Sequence, residues 1–198
     1  MIPYRRVFDE LAADYDRWFD EHGVVYTAQL RMIRSAVPCS GRGLEVGVGS
    51  GRFAGQLGIR SGIDPSRELI RMAKGRGVDV IRGEGEHLPY RQGSFDYVLM
   101  MTVICFVEDP LLLFREAFRV LAPKGELIAG FIEREGEIAQ QYRHEETKGR
   151  FLRFARFYSI EEVTGFLRSA GFSKKPLIQR TRGFCVMKAT KERFTLLS

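Results

Sequence analysis

Cysteine is scarce and scattered: only Cys39, Cys105 and Cys185 occur among 198 residues, in odd number and in no CxxC pair. That spacing supplies neither a zinc site nor a disulfide framework, and it fits a reducing cytoplasm. Long apolar runs are also missing, with no window near the ~18 residues that a bilayer span needs. The opening stretch scatters charge throughout and shows no apolar core of the secretory kind. No tract is rich enough in Gly, Pro or Ser to act as a linker, and no repeat is visible, so a single domain over 1–198 is expected. With 44% hydrophobic residues the chain can bury a full core unaided by metals or disulfides.

Charge of one sign is not concentrated either. Thirty-one Lys and Arg against 25 Asp and Glu leave a formal net charge of +6, which raises the question of nucleic acid. The densest run, residues 142–156, mixes Arg143, Lys148, Arg150, Arg153 and Arg156 with Glu145 and Glu146, the pattern of a solvated helix face. Neither nucleic acid nor membrane is therefore an expected partner.

What is present is an alternation of periods. Val7, Phe8, Leu11, Tyr15, Trp18 and Phe19 recur at helical spacing, and a second helix runs over about 26–36 before Pro38. Short apolar strands follow at 43–46, 61–63, 79–82, 95–101 and 126–131, with helices at about 52–57, 66–75 and 110–121. Such alternation predicts a doubly wound α/β fold: a mostly parallel, Rossmann-like sheet of about seven strands with helices on both faces. Asp109-Pro110 caps one helix, and Pro123-Lys124-Gly125 supplies a turn after it. Ser159 and Glu162 have capping-box spacing for a helix that Gly171 ends. Strands at 176–181 and 184–189 flank Arg182-Gly183 as a C-terminal antiparallel hairpin.

The most specific local signal is Gly43-Leu-Glu-Val-Gly-Val-Gly-Ser-Gly51. In a doubly wound sheet a ligand binds beyond the carboxyl ends of the strands, and glycines in the first strand-to-helix turn admit positive φ and close backbone approach. Asp64 ends the next strand, where a carboxylate can accept from both ribose hydroxyls of a nucleoside; it can equally cap the helix that follows. A dinucleotide fingerprint spaces its glycines GxGxxG and serves an anionic pyrophosphate. Here the spacing is GxGxG, Phe53 stands where the third such glycine would fall, and Glu45 suits a ligand bearing positive charge.

These residues resemble a known family. EVGVGSG, GIDPS, RGEGEHLPYRQGSFDYVLM, DPLLLFREAFRVLAPKGELIAGF and SIEEVTGFLRSAGF are similar, in order, to the motifs of class I S-adenosylmethionine-dependent methyltransferases, with the ubiquinone and menaquinone biosynthesis enzymes as the nearest subgroup. The resemblance implies S-adenosylmethionine as cofactor and S-adenosylhomocysteine as product. It places Glu45, Val46, Gly47, Gly49 and Gly51 around the amino-acid part, Asp64 and Pro65 at the ribose and adenine, Glu84 and Gly85 at the adenine, and Met101 and Thr102 at the methionine portion. Ile63 and Leu88 are further apolar candidates for the adenine. Tyr15, on an opening helix that the resemblance makes a partial lid, is a candidate for the methionine carboxylate or the acceptor. It implies a lid at 1–37, a cofactor core at 38–132, an acceptor-side lid at 133–158 and a C-terminal helix and hairpin at 159–198.

The implied chemistry is in-line transfer of a methyl group to an O, N or C nucleophile of a small molecule, needing alignment and water exclusion and no metal. A base is required only for an acceptor that is protonated at neutral pH. His22 and His144 are candidates beside Tyr15, and His87 reads as exposed. The aromatic and arginine-rich stretch 133–158 suits an aromatic or anionic acceptor. RNA-directed methyl transfer and a non-catalytic cofactor-binding module are the alternatives. Residues 101–105 lack the [DNS]PP[YFW] pattern of DNA amino-methylating enzymes, and Cys105 lacks the preceding proline of cytosine-C5 enzymes. A monomer or homodimer is expected.

Overall fold

The computed structural model describes residues 3–144, 150–173 and 175–192. Three helices open it: α1 (Pro3–Glu10), α2 (Ala12–Glu21) and α3 (Gly23–Ala36). The aromatic stripe is thus divided, because the chain turns at Leu11 (φ −113°, ψ 26°). The second predicted helix starts at Gly23, three residues early.

Seven strands follow: β1 (Gly43–Val46), β2 (Ser61–Asp64), β3 (Asp79–Arg82), β4 (Phe95–Met101), β5 (Leu121–Ile132), β6 (Leu177–Thr181) and β7 (Phe184–Thr190). Their order is β3-β2-β1-β4-β5-β7-β6, with the first five parallel and β7 antiparallel to both neighbours. This is the mixed Rossmann-like sheet that the alternation predicts. Strand order reverses between β1 and β4, so their carboxyl ends flank the crevice where such sheets take ligands.

Helices α4 (Arg52–Leu57), α5 (Arg67–Gly75), α6 (Pro110–Val120), α7 (Glu137–His144) and α8 (Ile160–Ala170) complete the fold. One face of the sheet, through Val46, Val98, Met100 and Leu127, packs on Leu113, Phe114 and Ala117 of α6 and Val163 and Leu167 of α8. The other, through Leu99, Met101, Ile128 and Val186, packs on Ile33 of α3, Phe53 of α4 and Ile70 of α5. Burial on both faces explains why the central strands read as continuous apolar runs. Each of these side chains larger than alanine contributes about 1.5–3 kcal/mol on removal from water.

The local signals act as their chemistry requires. Asp109 accepts from the Leu112 amide at 3.0 Å, and Ser159 and Glu162 complete a capping box. Arg182 and Gly183 both have positive φ (43° and 87°), the geometry that lets a two-residue turn follow strand twist. The expected turn at Pro123-Lys124-Gly125 is instead an irregularity inside β5, which begins at Leu121: the β4 register shifts between Phe95 and Tyr97, and Lys124 takes φ 67°.

Candidate functional site

A cavity of about 560 Å³ opens beyond β1 and β4, within the range of roughly 300–1,000 Å³ typical of small-molecule sites. Gly47 (φ 68°) and Gly49 (φ 54°) line it. A Cβ on Gly47 would strike the Val103 side chain, and one on Gly49 would lie 3.2 Å from the Tyr15 hydroxyl. Gly51 differs from its expected role. It does not line the cavity; its absent Cβ would fall 2.9 Å from Ala73 Cα, so this glycine lets α4 pack on α5.

Two buried carboxylates face the cavity. Glu45 shares the sheet face of its register partner Leu99, beneath α3 and α4. Its carboxyl accepts from the Ala54 amide in the first turn of α4, a helix whose N-cap, Gly51, has no side chain to offer. The other oxygen, Oε2, is buried without a partner among the described residues. Burial pushes this carboxyl well above the ordinary carboxylate range, and the charge of Asp64 adds to the rise. Asp64 organises the turn: Oδ2 accepts from the Gly49 amide at 2.8 Å and Oδ1 from the Ser66 amide at 2.9 Å. Burial raises its carboxyl to about 6, with the two amides pulling the other way. Each oxygen keeps a second lone pair for a ligand. Helix α5 is capped by Ser66, whose Oγ accepts from Leu69 and donates to Asp9 of α1 at 2.7 Å.

The residues 83–86 form the next wall, with Gly83, Glu84 and Gly85 lining the cavity beside Ile63, Pro65 and Val46. Glu86 braces them, accepting the Glu108 amide at 3.0 Å. Leu88 belongs to the core and does not line the cavity. Met101 and Thr102 line it from the end of β4. Thr102 holds φ 56°, a costly conformation for a β-branched residue, pinned by its amide donating to Gly130 O at 2.7 Å.

Helix α2 closes the front. Tyr15, Trp18, Phe19 and His22 follow helical spacing and all line the cavity. Tyr15 packs edge-on against Phe8, Phe19 and Phe151 at centroid distances of 5.3–5.5 Å. Burial raises its phenol above the ordinary value, and the carboxylates Asp64 and Glu45 add to this. A polar clamp that sequence reading missed fixes the helix: Arg52 reaches Asp16 (2.9 Å) and Asp20 (2.5 Å), while Arg76 bonds Asp16 (2.8 Å) and the Ser50 carbonyl (2.8 Å). Against the opposing effect of burial, hydrogen bonds from Arg52 and Arg76 hold Asp16 well below the usual carboxylate range. Asp-x-x-x-Asp on the polar side of α2 was the available signal, but its partners lie 32 or more residues away.

Ile132, Ile138, Gln141, Tyr142, Phe151 and Leu152 complete the far side. Of the arginines in that stretch, Arg150 pairs with Asp14, Arg153 lies over Phe154, and Arg156 lies over Tyr158, itself a core residue. His87 is exposed and away from the cavity. The side chain of His144 and residues 145–149 lie outside the described residues. Cys105 is a buried thiol, pushed up to about 12 by burial, and chemically quiet. Among the described residues no cluster could hold a metal, and no helix is long and apolar enough to cross a membrane.

Residues 44–129 match the family model described as "Methyltransferase domain". A crystal structure from Thermotoga maritima, titled as an S-adenosylmethionine-dependent methyltransferase and possible histamine N-methyltransferase, is 36% identical with a TM-score of 0.87, over 94% of this chain and 99% of that one. An uncharacterised Methanocaldococcus jannaschii protein is 40% identical over 84% of this chain and 80% of its own length. The malonyl-[acyl-carrier protein] O-methyltransferase of Geobacter sulfurreducens is 31% identical over 85% of this chain and 69% of its own. The chain spans 58% of the length of the mycobacterial proteins that it matches.

Proposed function

The chain belongs to the class I S-adenosylmethionine-dependent methyltransferases, and from that premise we propose that it transfers the donor's methyl group to a small-molecule acceptor inside the cavity behind α2. The family and fold imply S-adenosylmethionine as cofactor, leaving as S-adenosylhomocysteine. When bound, it supplies a methyl already activated by a sulfonium, so the protein's tasks are to bind, align and keep out water.

The single observation carrying this reading is the orphaned Glu45 Oε2. A buried acceptor left unmade costs about 1–3 kcal/mol, so a site that keeps one is built for a ligand that satisfies it. A donor bearing both a sulfonium and an ammonium group fits a carboxylate in that position. Gly47 and Gly49, bent by positive φ into the cavity wall, would present backbone to its amino-acid part beside Glu45, with Tyr15, Met101 and Thr102 as further contacts. Asp64, already oriented by two amides, has spare lone pairs for ribose hydroxyls. Glu84 and Gly85 would take the adenine edge, with Ile63, Pro65 and Val46 as apolar surface. The order of motifs and the opening helices favour the quinone-biosynthesis subgroup. Residues 1–37 and 133–158 would enclose the acceptor, and a reducing cytoplasm suits the two buried thiols.

Titration calorimetry with S-adenosylmethionine, paired with a screen for labelled methyl transfer to metabolite pools, tests this. Glu45→Gln should weaken donor binding by about 1.5–3 kcal/mol, and Asp64→Ala by about 1–3 kcal/mol, with the fold intact. Wild-type affinity in a folded Glu45→Gln protein would sink the assignment.

A further inference from the structure

We infer that His22 is a general base for the acceptor, which assigns this chain to acceptors carrying an ionisable X–H group, a phenol or an ammonium. The inference rests on the methyltransferase reading above and deepens it.

Four observations converge on this residue. His22 continues the cavity-lining face of α2, two turns beyond Tyr15. Its Nδ1 lies 3.0 Å from the Trp18 carbonyl oxygen. A carbonyl only accepts, so the neutral ring carries its proton on Nδ1 and presents the lone pair of Nε2. The imidazole stacks on the Trp18 indole at 4.6 Å and 14°, which fixes the plane of the ring. Finally, the residue is exposed on one side, giving a captured proton a way out to solvent.

The surroundings do not compete for this role. From α3 the cavity receives Val25 and Gln29, and from α7 Ile138, Gln141 and Tyr142, of which Tyr142 alone titrates. On its own helix, Asp20 is engaged by Arg52, and Glu21 is exposed. Among the described residues of the far side, Arg150 lines the cavity and is paired with Asp14.

The step balances as follows: the acceptor's X–H proton passes to Nε2, and the pair left on X forms the bond to the methyl carbon. The carbon–sulfur bond breaks with its electrons staying on sulfur, so the positive charge lost by the sulfonium appears on the imidazolium. Solvent then takes the proton from His22.

His22→Asn keeps an amide donor for the Trp18 carbonyl while removing Nε2, so it separates a base from a helix-end contact. In nitrogen-15-labelled protein, long-range correlation spectra should show the free ring protonated at Nδ1; the opposite tautomer overturns the inference. With tyramine as acceptor probe, which offers both a phenol and an ammonium, the wild-type rate should rise through the imidazole titration. In His22→Asn the rate at pH 7 should fall about 10²-fold. That limb should disappear, added imidazole should restore part of the rate, and donor affinity should be unchanged. Donor binding without transfer to tyramine or to other simple phenols and amines overturns it, as does a His22→Asn profile like that of the wild type. If the wild type fails to bind S-adenosylmethionine, the underlying reading falls first.

Discussion

Glu45 and Asp64 are two carboxyls held in a largely apolar crevice, and each is easier to protonate there than in water. For Asp64 the ordinary value of 3.8 rises to about 6, so between those limits the native state binds more protons than the unfolded chain. Stability contributed by this group therefore falls as pH rises through that window, by about 3 kcal/mol in all. A cationic ligand reverses the balance by favouring the ionised forms. Donor binding near pH 6–7 should accordingly release protons, and its measured enthalpy should change between buffers of different ionisation enthalpy. An enthalpy independent of buffer would mean that neither carboxyl ionises on binding.

At the scale of elements, α2 decides what the front of the cavity is. Two of its polar ties look alike on paper but differ in environment. Arg52 and Asp16 expose only 17% and 18% of their side chains, whereas Arg150 and Asp14 expose 70% and 35%. Exposed pairs are worth about 0–1 kcal/mol and breaking a fully buried one costs about 3–5 kcal/mol; Arg52 and Asp16 are partly buried and Asp16 keeps Arg76, so this pair falls between the two. Arg52→Ala should thus destabilise the protein by about 2–3 kcal/mol and Arg150→Ala by less than about 0.5 kcal/mol, as read by urea denaturation. Equal effects would show that the Asp16 clamp does not anchor α2. A further tether, Ser66 to Asp9, joins α1 to the end of β2, so α1 and α2 are both fixed to the loops that carry the glycine turn and Asp64.

For the molecule as a whole, burial sorts the three cysteines. Cys39 is exposed, while Cys105 and Cys185 are buried with thiols raised to about 12 and about 11. Iodoacetamide followed by mass spectrometry should modify Cys39 quickly and the other two only as fast as the protein opens; rapid labelling of Cys105 would mean that the loop after β4 opens readily. Much of this architecture was legible beforehand because its causes are local. Strand and helix periods, Asp109, the Ser159–Glu162 box, the Arg182-Gly183 turn and the GxGxG spacing all act within a few residues, and together they place the sheet, the switch point and the cavity mouth. Less legible were the division of the first helix at Leu11, the continuation of β5 through Pro123, the packing role of Gly51, the Asp16–Arg52–Arg76 clamp and the unpartnered oxygen of Glu45. A carboxylate in a strand reads the same whether its oxygens are met or not. Whether Glu45 Oε2 finds a donor, and whether a glycine faces a ligand or a neighbouring helix, depends on atoms distant in sequence that only packing brings within reach.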